Sequence, residues 1–308
     1  MENKVLIFGH KNPDTDSICS SIVHEILDKK NGWNNTKAVR IGNVNKETQY
    51  VLKYLQMEIP ELIEEVEEGQ EVILVDHCNF DQSVDGIENA KIISVTDHHN
   101  IGNFRTSEPL YYNAKPYGCT STILYEDFKK FNHKIDKKEA ILMLSAIISD
   151  TLLLKSPTTT QYDKKALEEL AKIAEIDVNE YGMEMLKAGT DVKEYSEEQL
   201  INLDAKDFNK GDVKYRVAQI NIISIDDVLK REEEIKTVIN KTIEENGLDL
   251  FVFAITDILN SNSEIIALGK MVDIIKPAFG KDLVNDRVFL PGVVSRKKQL
   301  VPDIDKNI

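Results

Sequence analysis

Residues 5–20 read VLIFGHKNPDTDSICS, and this stretch limits the possible folds more than any other. The apolar run Val5–Phe8 stops at Gly9 and delivers His10, Asp14 and Asp16 into a turn, with Pro13 fixing the backbone between them. Ser17 then opens a helical pattern in which Ile18, Ile22, Ile26 and Leu27 recur near the 3.6-residue period. A strand that ends at a glycine and hands over to a helix is where open α/β sheets place ligands. Imidazole and carboxylates so close together suit a divalent ion of the Mn, Fe, Co or Zn type. The structural alternative is a helix cap at Asp14 or Ser17 and a turn role for His10.

The same pattern recurs downstream. Val72–Val75 is an apolar strand ending at Asp76-His77, and Ile92–Val95 is another ending at Thr96-Asp97-His98-His99. Ala38–Ile41 reads as a strand, and 46–68 as an acidic helix with Leu52, Leu55, Leu62 and Val66 buried and Gly69 as its stop. Helices between strands imply parallel pairing and right-handed crossovers, so the polar strand ends fall on one edge of a sheet. Residues 100–120 read as loop, and Thr120 or Ser121 as the cap of a helix running through Phe128. Ala140–Ile148 is too apolar all round for a surface and predicts a buried helix from near Asp136 to Asp150. Asp150 therefore ends a core element, where an uncompensated carboxylate is costly. Further helices are expected over 162–175, after a turn at Ser156–Thr160, and over 178–187.

At 308 residues the chain is long enough for two domains. The expected architecture is α/β: an N-terminal domain over 1–188 with a mainly parallel sheet flanked by helices, a polar linker over 189–195, and a smaller mixed α/β domain over 196–308. In the second domain Val213–Ile223, Leu250–Ile255 and Ile265–Leu268 read as strands and 226–245 as a charged amphipathic helix. The active site is expected in the cleft between the domains.

Composition narrows the partners. Lys plus Arg number 38 against 53 Asp plus Glu, a formal charge of −15, which repels nucleic acid backbones and anionic membranes. A small anionic substrate would bind only where metals or a basic cluster reverse the field. Cys19, Cys78 and Cys119 are widely spaced and odd in number, which argues for reduced thiols and a cytoplasmic location. The opening MENKVLIFGH lacks the apolar core of a signal peptide, and no apolar run approaches a membrane span.

His10, Asp14, Asp16, Asp76, His98 and Asp150 form the candidate ligand set, with Asp97 and His99 beside it. Two ions ~3.5–4 Å apart need more carboxylates than one ion does, and at least one must bridge. Taken singly, Asp76 could cap the next element, His98 and His99 could be loop histidines, and Asp150 could pair with Lys155. Arg296-Lys297-Lys298 stands out in so acidic a chain, with Lys206 a further cation. Arg296 offers a planar fork for phosphate oxygens and Lys297 a point charge; a solvated tail before Pro302 is the alternative. A bimetal centre plus phosphate-binding cations describes a hydrolase acting in line on phosphorus, with His99 available to donate a proton to the leaving oxygen.

GHKNPDTDS at 9–17, VDH at 75–77, TDHH at 96–99 and SDT at 149–151 resemble the DHH phosphoesterase superfamily. LKAGTD at 186–191, NLDAKDF at 202–208 and the SRKKQ of 295–299 narrow the resemblance to family II, manganese-dependent inorganic pyrophosphatases. The GGGH-type motif of the nuclease and cyclic-dinucleotide branches is missing from the sequence. Activity on short polyphosphate or oligonucleotide ends, as in another DHH phosphoesterase, is the alternative. The resemblance implies that His10 and Asp14 hold one Mn²⁺ (or Co²⁺), that Asp16, His98 and Asp150 hold the other, and that Asp76 bridges them. It implies His99, Lys206, Arg296 and Lys297 at the pyrophosphate, Mg²⁺ arriving with the substrate, and a bridging hydroxide as nucleophile. It also implies that Asp97 orients a ligand histidine and that the protein is a homodimer through the first domain. One departure stands out: where the family usually has Asn-Glu after Asp76-His77, this chain has Cys78-Asn79.

Overall fold

A computed structural model describes residues 4–308, the Lys297 side chain excepted. The backbone divides into two units, one ending at Gly189 and the other spanning Thr190–Ile308.

The first unit is built on six strands: β1 (Val5–Phe8), β2 (Thr36–Arg40), β3 (Glu61–Leu62), β4 (Glu71–Val75), β5 (Lys91–Asp97) and β6 (Tyr111–Ala114). They lie in the order β3-β2-β1-β4-β5-β6, and every pairing is parallel. The helices are α1 (Thr15–Lys30), α2 (Lys46–Tyr54), α3 (Thr120–Lys130), α4 (Lys137–Thr151), α5 (Gln161–Ala174) and α6 (Val178–Gly189). Alternation along the strands gives the sheet two apolar faces: Phe8, Val72, Leu74 and Val95 line one, and Val5, Ile7, Ile73 and Val75 the other. The chain leaves β1 toward β2 and β3, then returns to its opposite side at β4. The carboxyl ends of β1 and β4 thus flank the point where strand order reverses, the preferred ligand site of such sheets.

Three expectations of local structure fail in this unit. The helix expected over 46–68 stops at Tyr54; Gln56 is left-handed (φ 52°), and Pro60 both lacks an N–H and disfavours helix at Ile59. Leu62, expected in the core, lies exposed on β3. The segment read as loop over 100–120 contains β6, an edge strand whose polar composition hides it.

The second unit carries a five-stranded mixed sheet in the order β11-β10-β9-β8-β7. Its strands are β7 (Ala205–Lys210), β8 (Val213–Ile222), β9 (Leu250–Asp257), β10 (Asn262–Leu268) and β11 (Arg287–Pro291), with only β8 and β9 parallel. The helices are α7 (Glu197–Leu200), α8 (Ile225–Leu229), α9 (Glu232–Asn246), α10 (Ile275–Phe279) and α11 (Val301–Asp305). The single helix expected over 226–245 is therefore two, broken at Lys230-Arg231, and Gly247 in the left-handed region ends the second. Arg296–Leu300 forms a helical turn leading into α11; Leu300 and Ile304 are fully buried, so this segment is no solvated tail. Among the described residues no helix is long and apolar enough to cross a membrane.

Candidate metal centre

The first unit gathers its acids and histidines at the carboxyl ends of β1, β4 and β5. His10 follows β1, and its Nε2 lies 3.5 Å from both Asp14 Oδ2 and Asp76 Oδ2. Asp14 divides its two oxygens. Oδ1 caps α1 by accepting from the Ser17 amide at 3.0 Å, and Oδ2 faces His10. Capping and ligation are thus compatible at Asp14. Ser17 knits the turn together, accepting from the His10 amide (3.2 Å) and donating to Asp76 Oδ2 (2.9 Å). A Cβ at residue 9 would fall 2.3 Å from that hydroxyl, so only glycine fits there.

Asp16, in the first turn of α1 and wholly buried, reaches across to α3. Its Oδ2 accepts from the Thr120 amide (2.6 Å), and its Oδ1 from the Ser121 amide (3.1 Å) and the Ser20 hydroxyl (2.7 Å). The cap of α3 is therefore the Asp16 carboxylate rather than the Thr120 or Ser121 hydroxyl. The Thr120 hydroxyl instead donates to Asp76 Oδ1 at 3.0 Å. Carboxylates are stabilised at helix amino ends by exposed amides and the macrodipole.

Asp76, buried and left-handed (φ 60°), stands between the histidines. Its Oδ2 faces His10, while Oδ1 lies 3.4 Å from His98 Nε2 and 3.7 Å from His99 Nδ1. His98 Nδ1 meets the Tyr117 carbonyl at 3.0 Å, which keeps a proton on Nδ1 and leaves Nε2 as the nitrogen that faces the carboxylates. That Nε2 is buried without a hydrogen-bond partner, 3.6 Å from Asp150 Oδ2. Asp150 is the penultimate residue of α4, followed by Leu152, Leu153 and Leu154, all left-handed (φ 48°, 54° and 63°). Its expected alternative, a pair with Lys155, does not form among the described residues.

Three sets of donor atoms lie within 4.8 Å of one another: His10-Asp14-Asp76, Asp16-Asp76-His98-Asp150 and Asp76-His98-His99. Asp76 belongs to all three. The electrostatics show excess negative charge. Burial, then Asp76, raises Asp16 to about 6, and burial with Asp16, Asp14 and Asp76 pushes Asp150 well above the carboxylate range. Burial also works against the Asp76 charge, but His10 and His98 hold its carboxyl far below normal. The histidines respond in kind: against burial, Asp14 and Asp76 raise His10 to about 10, and Asp76 with Asp16 raises His98 to about 9. An orphaned imidazole nitrogen aimed into crowded carboxylates, with no thiolate among the donors, fits oxygen- and imidazole-preferring divalent ions.

The remaining histidines divide by role. His77 is buried and structural, with Nδ1 at the Val75 carbonyl (2.9 Å) and Nε2 at the Ser83 hydroxyl (3.1 Å). His99 is half-exposed; both its amide (3.1 Å) and its Nδ1 (3.0 Å) meet Asp97 Oδ1. Asp97 thus holds His99, whereas His98 is fixed by the Tyr117 carbonyl.

Glu47, near the start of α2, was not anticipated. Its Oε1 accepts from the Thr15 hydroxyl (2.6 Å) and the Ser149 hydroxyl (2.5 Å), tying the start of α1 to the end of α4. One acid in an acidic helix gives no sequence signal of such a tie.

The second unit holds the candidate cations. Lys206 lies exposed on β7. Arg296 Nη2 pairs with Asp204 Oδ1 at 2.7 Å, and the Arg296 amide donates to Gln219 Oε1 at 3.0 Å. The Gln219 amide in turn donates to the Asp204 carbonyl at 3.0 Å, so Arg296 is anchored at the start of β7. The Lys297 side chain lies outside the described residues.

The chain matches two family models: the DHH family N-terminal domain over residues 4–147 and the DHHA2 domain over 183–307. It is 52% identical over 300 residues to the manganese-dependent inorganic pyrophosphatase of Bacillus subtilis, covering 97% of each chain. It is 52% identical over 298 residues to the probable manganese-dependent inorganic pyrophosphatase of Staphylococcus carnosus, again covering 97% of each. Its fold resembles a solved Methanococcus jannaschii protein assigned to family II of the inorganic pyrophosphatases, at 40% identity, a TM-score of 0.63 and 98% coverage of both chains.

Proposed function

This chain belongs to the manganese-dependent, family II inorganic pyrophosphatases, and we infer that it hydrolyses inorganic pyrophosphate to two orthophosphates. The observation that carries the reading is Asp76: a buried carboxylate whose two oxygens face different histidines, each with an acid of its own alongside. We assign His10 and Asp14 to one Mn²⁺ and Asp16, His98 and Asp150 to a second, with Asp76 common to both; Co²⁺ suits the same donors. When bound, two such ions supply Lewis acidity and lower the pKa of the attacking water.

The protein's own groups do the rest. Asp16 contributes to its ion while fixed by three hydrogen bonds, so the centre is rigid before loading. Asp97 holds the His99 Nδ1, which leaves Nε2 free to hydrogen-bond the phosphoryl group or to donate a proton to the leaving phosphate. Lys206, Arg296 and Lys297 are assigned to the phosphoryl oxygens, with Asp204 pre-orienting the Arg296 fork until substrate arrives. Mg²⁺ is assigned to the incoming pyrophosphate, a homodimer to the first unit and a cytoplasmic location to the free thiols. The −15 charge disfavours nucleic acid and anionic membranes as partners.

The test is orthophosphate release by metal-stripped protein given Mn²⁺, Co²⁺, Zn²⁺ or Mg²⁺ alone. Tripolyphosphate and a short oligonucleotide are tested beside pyrophosphate. Recovery on pyrophosphate with Mn²⁺ or Co²⁺, lost in Asp76→Ala, is expected. Release from the oligonucleotide or tripolyphosphate but not from pyrophosphate would overturn the assignment.

A further inference from the structure

Asp97 is wholly buried, and its Oδ1 takes both hydrogen bonds from His99. Its other oxygen, Oδ2, has no such bond, and neither has the buried Tyr112 hydroxyl. Buried polar atoms are nearly always paired, so two orphans in one core call for an explanation.

Cys78 stands beside both. It is buried just beyond β4 and packs in one core cluster with Val95 and Tyr112. Tyr112 is in register with Val95, and Asp97 lies two residues beyond Val95, on the same face of the sheet. The thiol stands near enough to the Asp97 carboxylate and the Tyr112 hydroxyl to act on the charge of both. A thiol offers one weak donor and one weak acceptor, which is what the two orphans lack between them. A small rotation of the thiol would let the Tyr112 O–H donate to Sγ and the Cys78 S–H donate to Asp97 Oδ2. The competing acceptor, the Asn100 carbonyl, is 3.9 Å from Sγ and is neutral.

We propose that Cys78 and Tyr112 are positioning residues for His99, acting through Asp97. With Oδ2 held, the carboxylate loses its freedom to rotate away from the ring, and the His99 Nδ1–H stays on Oδ1 with Nε2 turned outward. No bond is made or broken in this relay. Its catalytic consequence rests on the reading of His99 as a group at the substrate.

The experiment is nitrogen-15 NMR of the histidine side chains in the metal-free protein, with the His99 Nδ1–H signal assigned by its loss in His99→Gln. The signal should be sharp in the unchanged protein and in Cys78→Ser, which keeps a donor. It should broaden by solvent exchange in Cys78→Ala and shift in Tyr112→Phe. With Mn²⁺ and pyrophosphate, Cys78→Ala should lower kcat by roughly three- to tenfold, as for one net hydrogen bond, while KM changes by less than about twofold. An unchanged His99 signal in both Cys78→Ala and Tyr112→Phe overturns the relay whatever the activity; Tyr112→Phe alone decides if Cys78→Ala does not fold. The signal is read without metal or substrate, so an inactive unchanged protein would remove the pyrophosphatase reading and leave the relay to be judged separately.

Discussion

Replacing Asp16 by Asn should remove the pH dependence that this residue imposes on the metal-free fold. Asp16 is wholly buried, and burial with the neighbouring Asp76 raises its carboxyl from 3.8 to about 6. An acid whose pKa is higher folded than unfolded binds its proton more tightly in the fold. Its stabilisation is complete below the unfolded pKa and is lost as pH rises through about 6. Integrated from pH 5 to pH 8, that loss is about 1.4 kcal/mol. Asn has no proton to lose, so the stability of Asp16→Asn relative to the unchanged protein should rise by that amount over the interval. A constant offset sits beneath this change, because an amide nitrogen in place of Oδ2 leaves the Thr120 N–H unpaired, at about 1–3 kcal/mol. Urea denaturation in chelator at the two pH values measures the difference and cancels the offset. Adding Mn²⁺ should then stabilise the unchanged protein by about 2.7 kcal/mol at a hundredfold excess over Kd and Asp16→Asn by far less. A stability gap that does not vary with pH would refute the electrostatic reasoning.

The other expectations test the centre and its supports. His10, near 10, and His98, near 9, keep their protons at neutral pH without metal, so loading must expel them. Calorimetry in buffers of different ionisation enthalpy should find about two protons released at pH 7.5 and affinity rising toward pH 9; no release contradicts the ligand assignment. Glu47→Ala frees Thr15 and Ser149, the neighbours of Asp14, Asp16 and Asp150, and should weaken Mn²⁺ binding by about 10–100-fold, Glu47→Gln by less. Unaltered binding would make Glu47 a packing residue. Gly182→Ala on α6 would place a methyl 2.4 Å from Leu153 Cδ2 and should cost about 1–3 kcal/mol, seen as a lower Tm.

The strands that could be read from sequence are the central ones. β1, β2, β4, β5, β8, β9 and β10 lie inside their sheets with both faces covered, and runs of apolar residues betray them. The four that were missed, β3, β6, β7 and β11, are all sheet edges, where one side is open and polar residues are tolerated. The overlong helix over 46–68 and the single helix over 226–245 fail for a related reason. Acidic helical periodicity continues through residues whose backbone breaks, at Gln56-Pro60 and at Lys230-Arg231.

The candidate ligands were legible because each stands where an apolar run stops: His10 after β1, Asp76 after β4, His98 beyond β5 and Asp150 at the end of α4. Local pattern suffices for that, since strand and helix ends are encoded within a few residues. Three things depended on the tertiary fold. The strand order β3-β2-β1-β4-β5-β6 brings the ends of β1 and β4 side by side, so that Asp76 meets His10 and His98 from opposite directions. The crossing of α1 and α3 gives Asp16 the Thr120 and Ser121 amides as partners from 104 and 105 residues away. The Tyr117 carbonyl, Glu47 and Cys78 became visible as supports only once folded, because a hydrogen bond between distant segments leaves no periodic trace in either. The sequence by itself determined which residues can bind a metal; the packing of the sheet decided which of them meet, and which neighbours hold them there.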